Sequence, residues 1–340
     1  MSPRKIPATA GSHGATLTRR SPKPQELTAL VLDVLRGRPR AEQFGLSSDE
    51  VVRAVEAFVT AGSRALAEGL GREKWRTWGL PLKLSMGTSK RTRETVASLR
   101  RLLSACRADK AVSTCFFMRK PPGVRFRVES TAPHRVERIV GRWMERESVT
   151  AITLPYEPEE YQFGGPTGMA IAHRHFTYDS AAALDVHHRA SAGKLSVEPW
   201  ALSLLCIVDL AQKVTGDEWE VWDLWSNLRL AGRLGEAADR EELRALAEQI
   251  EPFVRSRREM TKLLPTPERE IVQHYLRANS AVARELVRAH RAGDLLYPPR
   301  QVVPFWIVFH WNRWGFEERE QLTLAHGVEY VLNPKRPISE

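Results

Sequence analysis

The chain has 340 residues, of which 42% are hydrophobic and 27% charged, a balance typical of a globular protein with a buried core. No run approaches the roughly 20 apolar residues that a membrane span needs. The three cysteines fit neither a disulfide framework nor a zinc site. We therefore expect a cytoplasmic protein that has no membrane partner.

The formal net charge is +10 at pH 7, from 51 Lys and Arg against 41 Asp and Glu. Half of the excess lies in residues 1–24, which hold five basic residues and no acidic one. Because Pro and Gly interrupt every pattern in this segment, it is predicted to be a disordered basic tail. The charge suits a polyanionic or acidic partner, either nucleic acid or an acid-rich peptide, although a merely solvated surface would also account for it.

A short helical extension is predicted over residues 25–72. Apolar residues recur at helical spacing from Gln25 to Leu35, and a second helix follows the capping signal that begins at Ser47. Two helices around a turn are either a packing unit or a DNA-binding element.

Strand and helix patterns alternate in the next part of the chain. Strands are predicted over 75–84, 113–118, 124–128 and 149–154, with helices over 92–105 and 134–144 between them. This β-α-β-β-α-β order is that of a ferredoxin-like split βαβ unit. Because helical patterns dominate the chain after residue 164, the predicted fold class is α+β, a ferredoxin-like sheet unit followed by a mainly helical half.

An arginine-rich hairpin is the first candidate site. Strict alternation over 124–128 places Arg125 and Arg127 on one face of the strand. Arg119 lies near the end of the preceding strand. Such a cluster of guanidinium groups could clamp a carboxylate or peptide carbonyl groups, and the alternative is a solvent-exposed sheet face.

The segment from Tyr156 to Ser180 is the richest in residues that carry chemistry. Tyrosines and glutamates precede Gly164 and Gly165, which open a helix from about residue 167. Glycines at a helix entrance would let a substrate backbone approach closely.

Histidine pairs in the chain do not predict a metal site. His173 and His175 point roughly 200° apart on a helix, so they cannot share one ion. The adjacent His187 and His188 fail in the same way. Nucleotide-binding, serine-hydrolase and zinc motifs are also missing from the sequence.

The late apolar run FWIVFHWNRWG carries His310, Asn312 and Arg313. His310 could act as a general acid or base, because imidazole titrates near neutral pH. A lone histidine among aromatic residues is more often a hydrogen-bonded core residue, so both interpretations stay open.

Three blocks in combination resemble the C-terminal domain of lantibiotic dehydratases, which also occurs alone as a thiopeptide-type bacteriocin biosynthesis protein. The matching residues are Phe117, Arg119, Arg125 and Arg127 in the first block, Tyr156, Pro158, Glu159, Phe163, Gly164, Gly165, Met169, Phe176, Asp179 and Ser180 in the second, and Asn312, Arg313 and Gly315 in the third. The resemblance covers about residues 75–330. It implies a catalytic domain over 73–340, with a sheet part over 73–163 and a helical part over 164–332.

The resemblance implies an enzyme that acts on a ribosomally made peptide carrying a leader, without a cofactor or metal. One chemistry of the family eliminates glutamate from glutamylated Ser or Thr. The other joins two dehydroalanines in a formal 4+2 aza-cycloaddition, which builds a pyridine-type ring, closes a macrocycle and in many members releases the leader.

Two departures from the eliminating pattern favour cycloaddition. Val124-Arg125 stands where eliminating members read His-Leu-Arg, and Val308 stands where they carry a histidine. Elimination needs a base for the α-proton, and the nearby His310 is displaced by two positions. Glutamate elimination is the first alternative, and a leader-peptide- or DNA-binding protein is the second.

The resemblance also implies roles for individual residues. Tyr156, Tyr161 and His310 are expected to transfer protons, and Arg119 to polarise a carbonyl. The expected substrate-binding residues are Arg125, Arg127, Glu159, Gly164, Gly165, Asp179, Ser180, Trp311, Asn312, Arg313 and Trp314, with the two tryptophans stacking on azole rings. The expected partner is a leader-bearing modified precursor peptide with an acidic leader. Nucleic acid is not expected, and a homodimer is left open.

Overall fold

The computed structural model describes residues 24–37, 46–121, 123–230 and 240–335. Apart from Pro24, the predicted tail 1–24 lies outside these residues. The chain forms two compact units, Met1–Gly71 and Arg72–Glu340.

The helical extension contains helix α1 (Pro24–Leu35) and the start of helix α2 (Ser48–Lys74). Ser47 caps α2 as the sequence predicts. The backbone N–H of Glu50 donates to Ser47 Oγ at 3.3 Å, and the N–H of Ser47 donates to Glu50 Oε2 at 2.7 Å. This reciprocal pair satisfies two of the N–H groups that a helix start leaves open.

The second unit begins with the predicted order of strands and helices. The elements are β1 (Trp75–Leu80), α3 (Lys90–Arg107), β2 (Val112–Lys120), β3 (Gly123–Ser130), α4 (Pro133–Glu147) and β4 (Ile152–Leu154). The sheet has the order β2-β3-β1-β4 with antiparallel neighbours. This is the ferredoxin-like arrangement, so the predicted α+β class and split βαβ unit are confirmed.

Two strands are shorter than predicted. β1 ends at Leu80 instead of residue 84, because Pro81 follows and has no N–H for the ladder. β4 covers Ile152–Leu154 instead of 149–154. The N–H of Val149 donates to Met144 O at 3.0 Å and thereby closes the end of α4, where Ser148 is left-handed.

The remaining elements form the predicted helical half. They are α5 (Gly165–Ser191), α6 (Pro199–Val214), α7 (Glu218–Leu230), α8 (Arg240–Arg255), α9 (Arg257–Leu263), α10 (Thr266–Arg291), α11 (Pro299–Trp314) and α12 (Glu318–Leu332). Within the described ranges, no helix combines the length and apolar character required to span a membrane.

Buried side chains cover both faces of the sheet. Phe117 and Phe126 pack in one cluster with residues of α3 and α4, and Phe116 and Met118 pack in another with residues of α5, α6 and α11. Helix α5 also runs along the outer edge of β2. The N–H groups of Cys115 and Phe117 donate to Thr177 Oγ1 and Ser180 Oγ of α5, each at 3.2 Å, so α5 protects an edge strand that would otherwise expose its donors.

Candidate active site

The sheet face that carries Arg125 and Arg127 is the best candidate for the active site. Arg127 pairs with Phe116 across β2 and β3, and Arg125 pairs with Met118, so both guanidinium groups emerge on one face, as the alternation predicts. Arg127 is only 8% exposed. Its guanidinium carbon lies 4.7 Å from the ring centroid of Tyr156 and 5.7 Å from that of Phe116.

These two arginines have hydrogen-bonding capacity to spare. Within the part of the chain that the structure describes, the buried Nε atoms of Arg125 and Arg127 have no hydrogen-bond partner. Burial lowers the pKa of Arg127, and the nearby Arg125 adds to that effect. Aromatic faces stabilise the Arg127 cation, which leaves N–H donors for the carbonyl or carboxylate of a ligand.

A tyrosine and a histidine complete this arginine–tyrosine site, which we define as Arg125, Arg127, Tyr156 and His173. The hydroxyl of Tyr156 is hydrogen-bonded to Nε2 of His173. The ring of Trp75 lies 4.6 Å from that of Tyr156 and 4.5 Å from that of His173. The rings of Trp75, Tyr156 and His173 pack together beside β1. This packing fixes the direction of the Tyr156 hydroxyl.

Both members of the pair are uncharged near pH 7. Burial, together with the positive charge of Arg127, lowers the pKa of His173 to about 3, so the imidazole is neutral near pH 7. Burial raises the pKa of Tyr156 above its ordinary value, although Arg127 opposes this. The phenol therefore keeps its proton, and the neutral imidazole can accept a hydrogen bond from it.

Glu159 lies at the margin of the arginine–tyrosine site. This half-buried carboxylate is 3.5 Å from Nζ of Lys120 at the end of β2. Its charge acts on both Arg127 and Tyr156. It is therefore placed to influence the site or to contact a ligand at its edge.

Arg119 lies on the opposite face of the sheet, apart from the other two arginines. It pairs with Val124, whose side chain packs with α3 and α4. The structure thus divides the predicted three-arginine cluster between two faces. Arg119 lines a separate groove of about 800 Å³ together with Trp200 and Phe316.

Gly315 makes room for Arg119 at the end of α11. Gly315 has φ +90°, and a Cβ at this position would overlap the Nη1 atom of Arg119. A glycine therefore satisfies both the left-handed helix end and the close approach. Arg119 and Gly315, which belong to two different blocks of the resemblance, are thus in contact in the structure.

Asp179 organises a fully buried polar cluster, the buried junction, which comprises Asp179, Tyr275, His310, Arg313 and Trp314. Its carboxylate accepts hydrogen bonds from His310 Nδ1 at 2.7 Å, from Trp314 Nε1 at 3.0 Å and from the Tyr275 hydroxyl at 3.1 Å. It also accepts one from Arg313 Nη1. Burial alone would raise the pKa of Asp179, but His310 and Arg313 outweigh it and hold this pKa well below its ordinary value.

The buried junction changes the predicted roles of three residues. His310 is 0% exposed, and its Nε2 atom is hydrogen-bonded to Ser203 Oγ at 2.9 Å, so neither ring nitrogen faces a substrate. Trp311 donates to Ser203 Oγ at 3.2 Å, and Trp311 and Trp314 are both 0% exposed. Proton transfer by His310 and azole stacking by the two tryptophans therefore have no surface to act through in this structure.

Other residues of the family blocks bind this chain itself. Ser180 accepts the Phe117 N–H, and Asn312 accepts from Gln321 Nε2 of α12 at 3.0 Å. Together with Asp179 and Arg313 they join α5 and α11 to the sheet and to α12. The structure thus gives all four a role in holding elements together, and their contact with substrate stays a prediction.

The Gly-Gly turn and Tyr161 contact the segment around Leu296 and Tyr297. Gly164 and Gly165 are buried with φ +81° and +90°, and the side chain of Leu296 lies 3.1 Å from where a Cβ of Gly165 would be. The glycines thus allow close packing with the chain itself on this side, and the approach of a substrate backbone to them stays a prediction. Tyr161 is 71% exposed, with its ring 5.1 Å from that of Tyr297.

Two aromatic rings in contact connect the buried junction to the arginine–tyrosine site. The Arg313 guanidinium lies 4.0 Å from the ring centroid of Phe176, which lies 5.4 Å from that of Phe116 beneath Arg127. Through these contacts the buried junction supports the arginine–tyrosine site. His173 and Tyr275 are not among the predicted site residues, because each meets its partner across 17 or more positions and no local pattern marks such a contact.

Comparisons with known proteins agree with this architecture. Residues 80–332 match the family model described as lantibiotic biosynthesis dehydratase C-term. The fold is similar to that of the tRNA dependent lantibiotic dehydratase MibB from Microbispora sp. 107891, with 18% identity and a TM-score of 0.54 over 75% of this chain. This chain spans only 28% of MibB.

The fold is also similar to that of TbtD, a pyridine synthase from thiomuracin biosynthesis, with 14% identity and a TM-score of 0.52 over 76% of this chain and 97% of TbtD. The chain has no match among the curated proteins. Since the family model covers most of the sequence, the chain belongs to the family of the C-terminal domain of lantibiotic biosynthesis dehydratases.

Proposed function

We propose that this protein is a pyridine synthase of thiopeptide biosynthesis, an enzyme that joins two dehydroalanines of a leader-bearing azole peptide in a formal 4+2 aza-cycloaddition. The observation that carries the proposal is the arginine–tyrosine site, where Arg127 has a spare donor beside the Tyr156–His173 pair. Family membership supports a modified ribosomal peptide as the class of substrate. The fold itself serves both a dehydratase and a pyridine synthase.

The main contribution of the protein to this reaction is to position the substrate. The amide beside one dehydroalanine tautomerises to an imidic acid, which provides a C=C–N=C diene, and two carbon–carbon bonds then form to the second dehydroalanine. Holding the two ends together can lower the barrier by up to about 7–11 kcal/mol. The N–H groups of Arg125 and Arg127 are proposed to hold and polarise the amide oxygen.

Loss of water from the new ring requires a proton donor. Tyr156 is proposed to protonate the departing hydroxyl group, and its phenolate then takes back the proton that the ring gives up. Arg127, 4.7 Å from the Tyr156 ring centroid, stabilises the transient phenolate. His173 holds the hydroxyl in place before it turns to the substrate.

Glutamate elimination remains the alternative function. The two arginines could stabilise a departing glutamate carboxylate. The displaced His310, however, is closed inside the core with both ring nitrogens bonded, so the base for the α-proton would have to be Tyr156 or His173. A glutamylated peptide that loses glutamate in the presence of the protein would favour this alternative.

Replacing Tyr156 tests the proposed proton donor. In a Tyr156→Phe variant incubated with a dehydrated, azole-bearing linear peptide, we expect kcat for macrocycle formation to fall by about 100-fold or more, with peptide binding unchanged. Tyr178→Phe is the matched control, since Tyr178 on α5 lies beside His274 and outside the arginine–tyrosine site. Equal turnover by the two variants, measured by mass spectrometry, would remove Tyr156 from the mechanism.

A further inference from the structure

Positive charge is concentrated on the two helices that cover the back of the sheet. Helix α3 contains six basic residues and one acidic residue, and α4 contains four and three. Their combined net charge of +6 exceeds the +5 carried by the whole of residues 25–340. The rest of that range is therefore close to neutral, and the basic character of the described chain belongs to this layer.

The charged layer forms a groove of about 1130 Å³ between α3 and α4. We call it the α3–α4 groove. Six basic side chains line it, and Asp109 is the acidic one among its lining residues. The basic residues are Arg100, Arg101, Lys110, Arg135, Arg142 and Arg146.

Neighbouring carboxylates neutralise only part of this charge. Glu147 lies 2.9 Å from Arg101 and 3.0 Å from Arg146. Asp109 pairs with Arg135 at 2.9 Å, and Asp185 pairs with Arg100 at 2.7 Å. Three positive charges remain in excess, and the exposed Lys110 and Arg142 stand outside these pairs.

We propose that the α3–α4 groove binds an acidic, amphipathic segment of the peptide substrate, outside the part that reacts. Apolar side chains also line the groove, among them Ala97, Ala105 and Ile139. A helix with glutamates along its sides and aliphatic residues beneath them would complement both features. This inference rests on the proposed function, because it places a second contact for the same substrate on the other side of the sheet.

The same features disfavour other occupants. The indole N–H of Trp143 donates to Ser98 O at 3.1 Å and the side chain is 4% exposed, so no ring is available to stack on a nucleic-acid base. The chain's own residues 1–24 carry only basic charges and would be repelled by the basic groove.

Charge reversal in the groove tests this proposal. The probe is a fluorescein-labelled, helix-forming synthetic peptide of glutamate, leucine and alanine, whose binding is followed by fluorescence anisotropy. We expect the double variant Lys110→Glu/Arg142→Glu to bind it at least about tenfold more weakly, and wild-type binding to weaken as salt is raised. The control Arg284→Glu/Arg288→Glu changes the net charge equally at another basic groove, on α10, and should stay within about twofold of wild type.

Several outcomes would overturn the proposal. Equal losses in both double variants would show a net-charge effect only, and no loss in either would show that the groove does not bind the probe. Tighter binding of oligo-dT, lost in the same variant, would assign the groove to nucleic acid. Because binding is measured without turnover, failure of the cycloaddition would leave this result standing. With a reactive substrate, the Lys110/Arg142 variant should raise KM and leave kcat unchanged.

Discussion

Arg127 is a buried cation that contacts the rings of Phe116 and Tyr156, and among the described residues it forms no direct ion pair, although the charge of Glu159 acts on it. Burial of a guanidinium group costs desolvation free energy, and an apolar residue at the same position would avoid that cost. We expect an Arg127→Met variant to lose at least about tenfold in turnover while its midpoint of thermal unfolding stays the same or rises. Calorimetry alongside the cyclisation assay checks both, with the exposed Arg277→Met as control. A large fall in the midpoint would make Arg127 a structural residue.

Asp179 has the opposite character, since it holds the buried junction together. In an Asp179→Asn variant, Arg313 would remain buried without its counter-charge, which costs about 3–5 kcal/mol. Urea denaturation should show a loss of this size, whereas the exposed Asp294→Asn should show little. A loss below about 1 kcal/mol would mean that the junction does not depend on this charge.

Buried histidines should make the protein sensitive to acid. Burial lowers the pKa of His173 to about 3, and of His175 and His187 to about 4, while each would titrate near 6.5 in the unfolded chain. Their contribution to stability is therefore present above about pH 6.5 and is lost as the pH falls towards the folded values. The free energy of unfolding should fall from pH 7 to 4, and less steeply in His175→Gln. Equal slopes would contradict this assignment.

At the scale of elements, α5 is both the cover of the β2 edge and the support of the site. Ser180→Ala removes the acceptor for the Phe117 N–H and leaves a buried donor unsatisfied, which costs about 1–3 kcal/mol. We expect faster hydrogen exchange at Phe117 and its neighbours in β2. Ser104→Ala, an exposed position on α3, serves as the control. Unchanged exchange in β2 would show that α5 does not protect the edge.

Sequence periodicity is sufficient to predict the order and type of the sheet elements, because alternation and helical spacing are local properties. Periodicity does not predict the face of the sheet on which Arg119 lies. β2 ends at Lys120 and β3 begins at Gly123, and this register pairs Arg119 with Val124 on the face opposite Arg125. Only the pairing across the hairpin, and not the pattern along one strand, carries that information.

At the scale of the whole molecule, the buried junction could not be predicted, because it joins residues far apart in the chain. His310 and Asp179 are separated by 131 positions, and Arg313 and Asp179 by 134. The resemblance to the family located these residues, but only the packing shows that they face the core and not a substrate. The arginine–tyrosine site lies on one side of the sheet, and the basic helices α3 and α4 cover the other side.

The most direct test of the account is the product that the wild-type protein makes. A dehydrated, azole-bearing linear peptide that carries its leader is incubated with purified protein and followed by mass spectrometry. The account predicts a macrocycle that has lost one molecule of water, and the leader as a separate species if the ring aromatises. A bound peptide that stays linear, or a glutamylated peptide that instead loses glutamate, would contradict it.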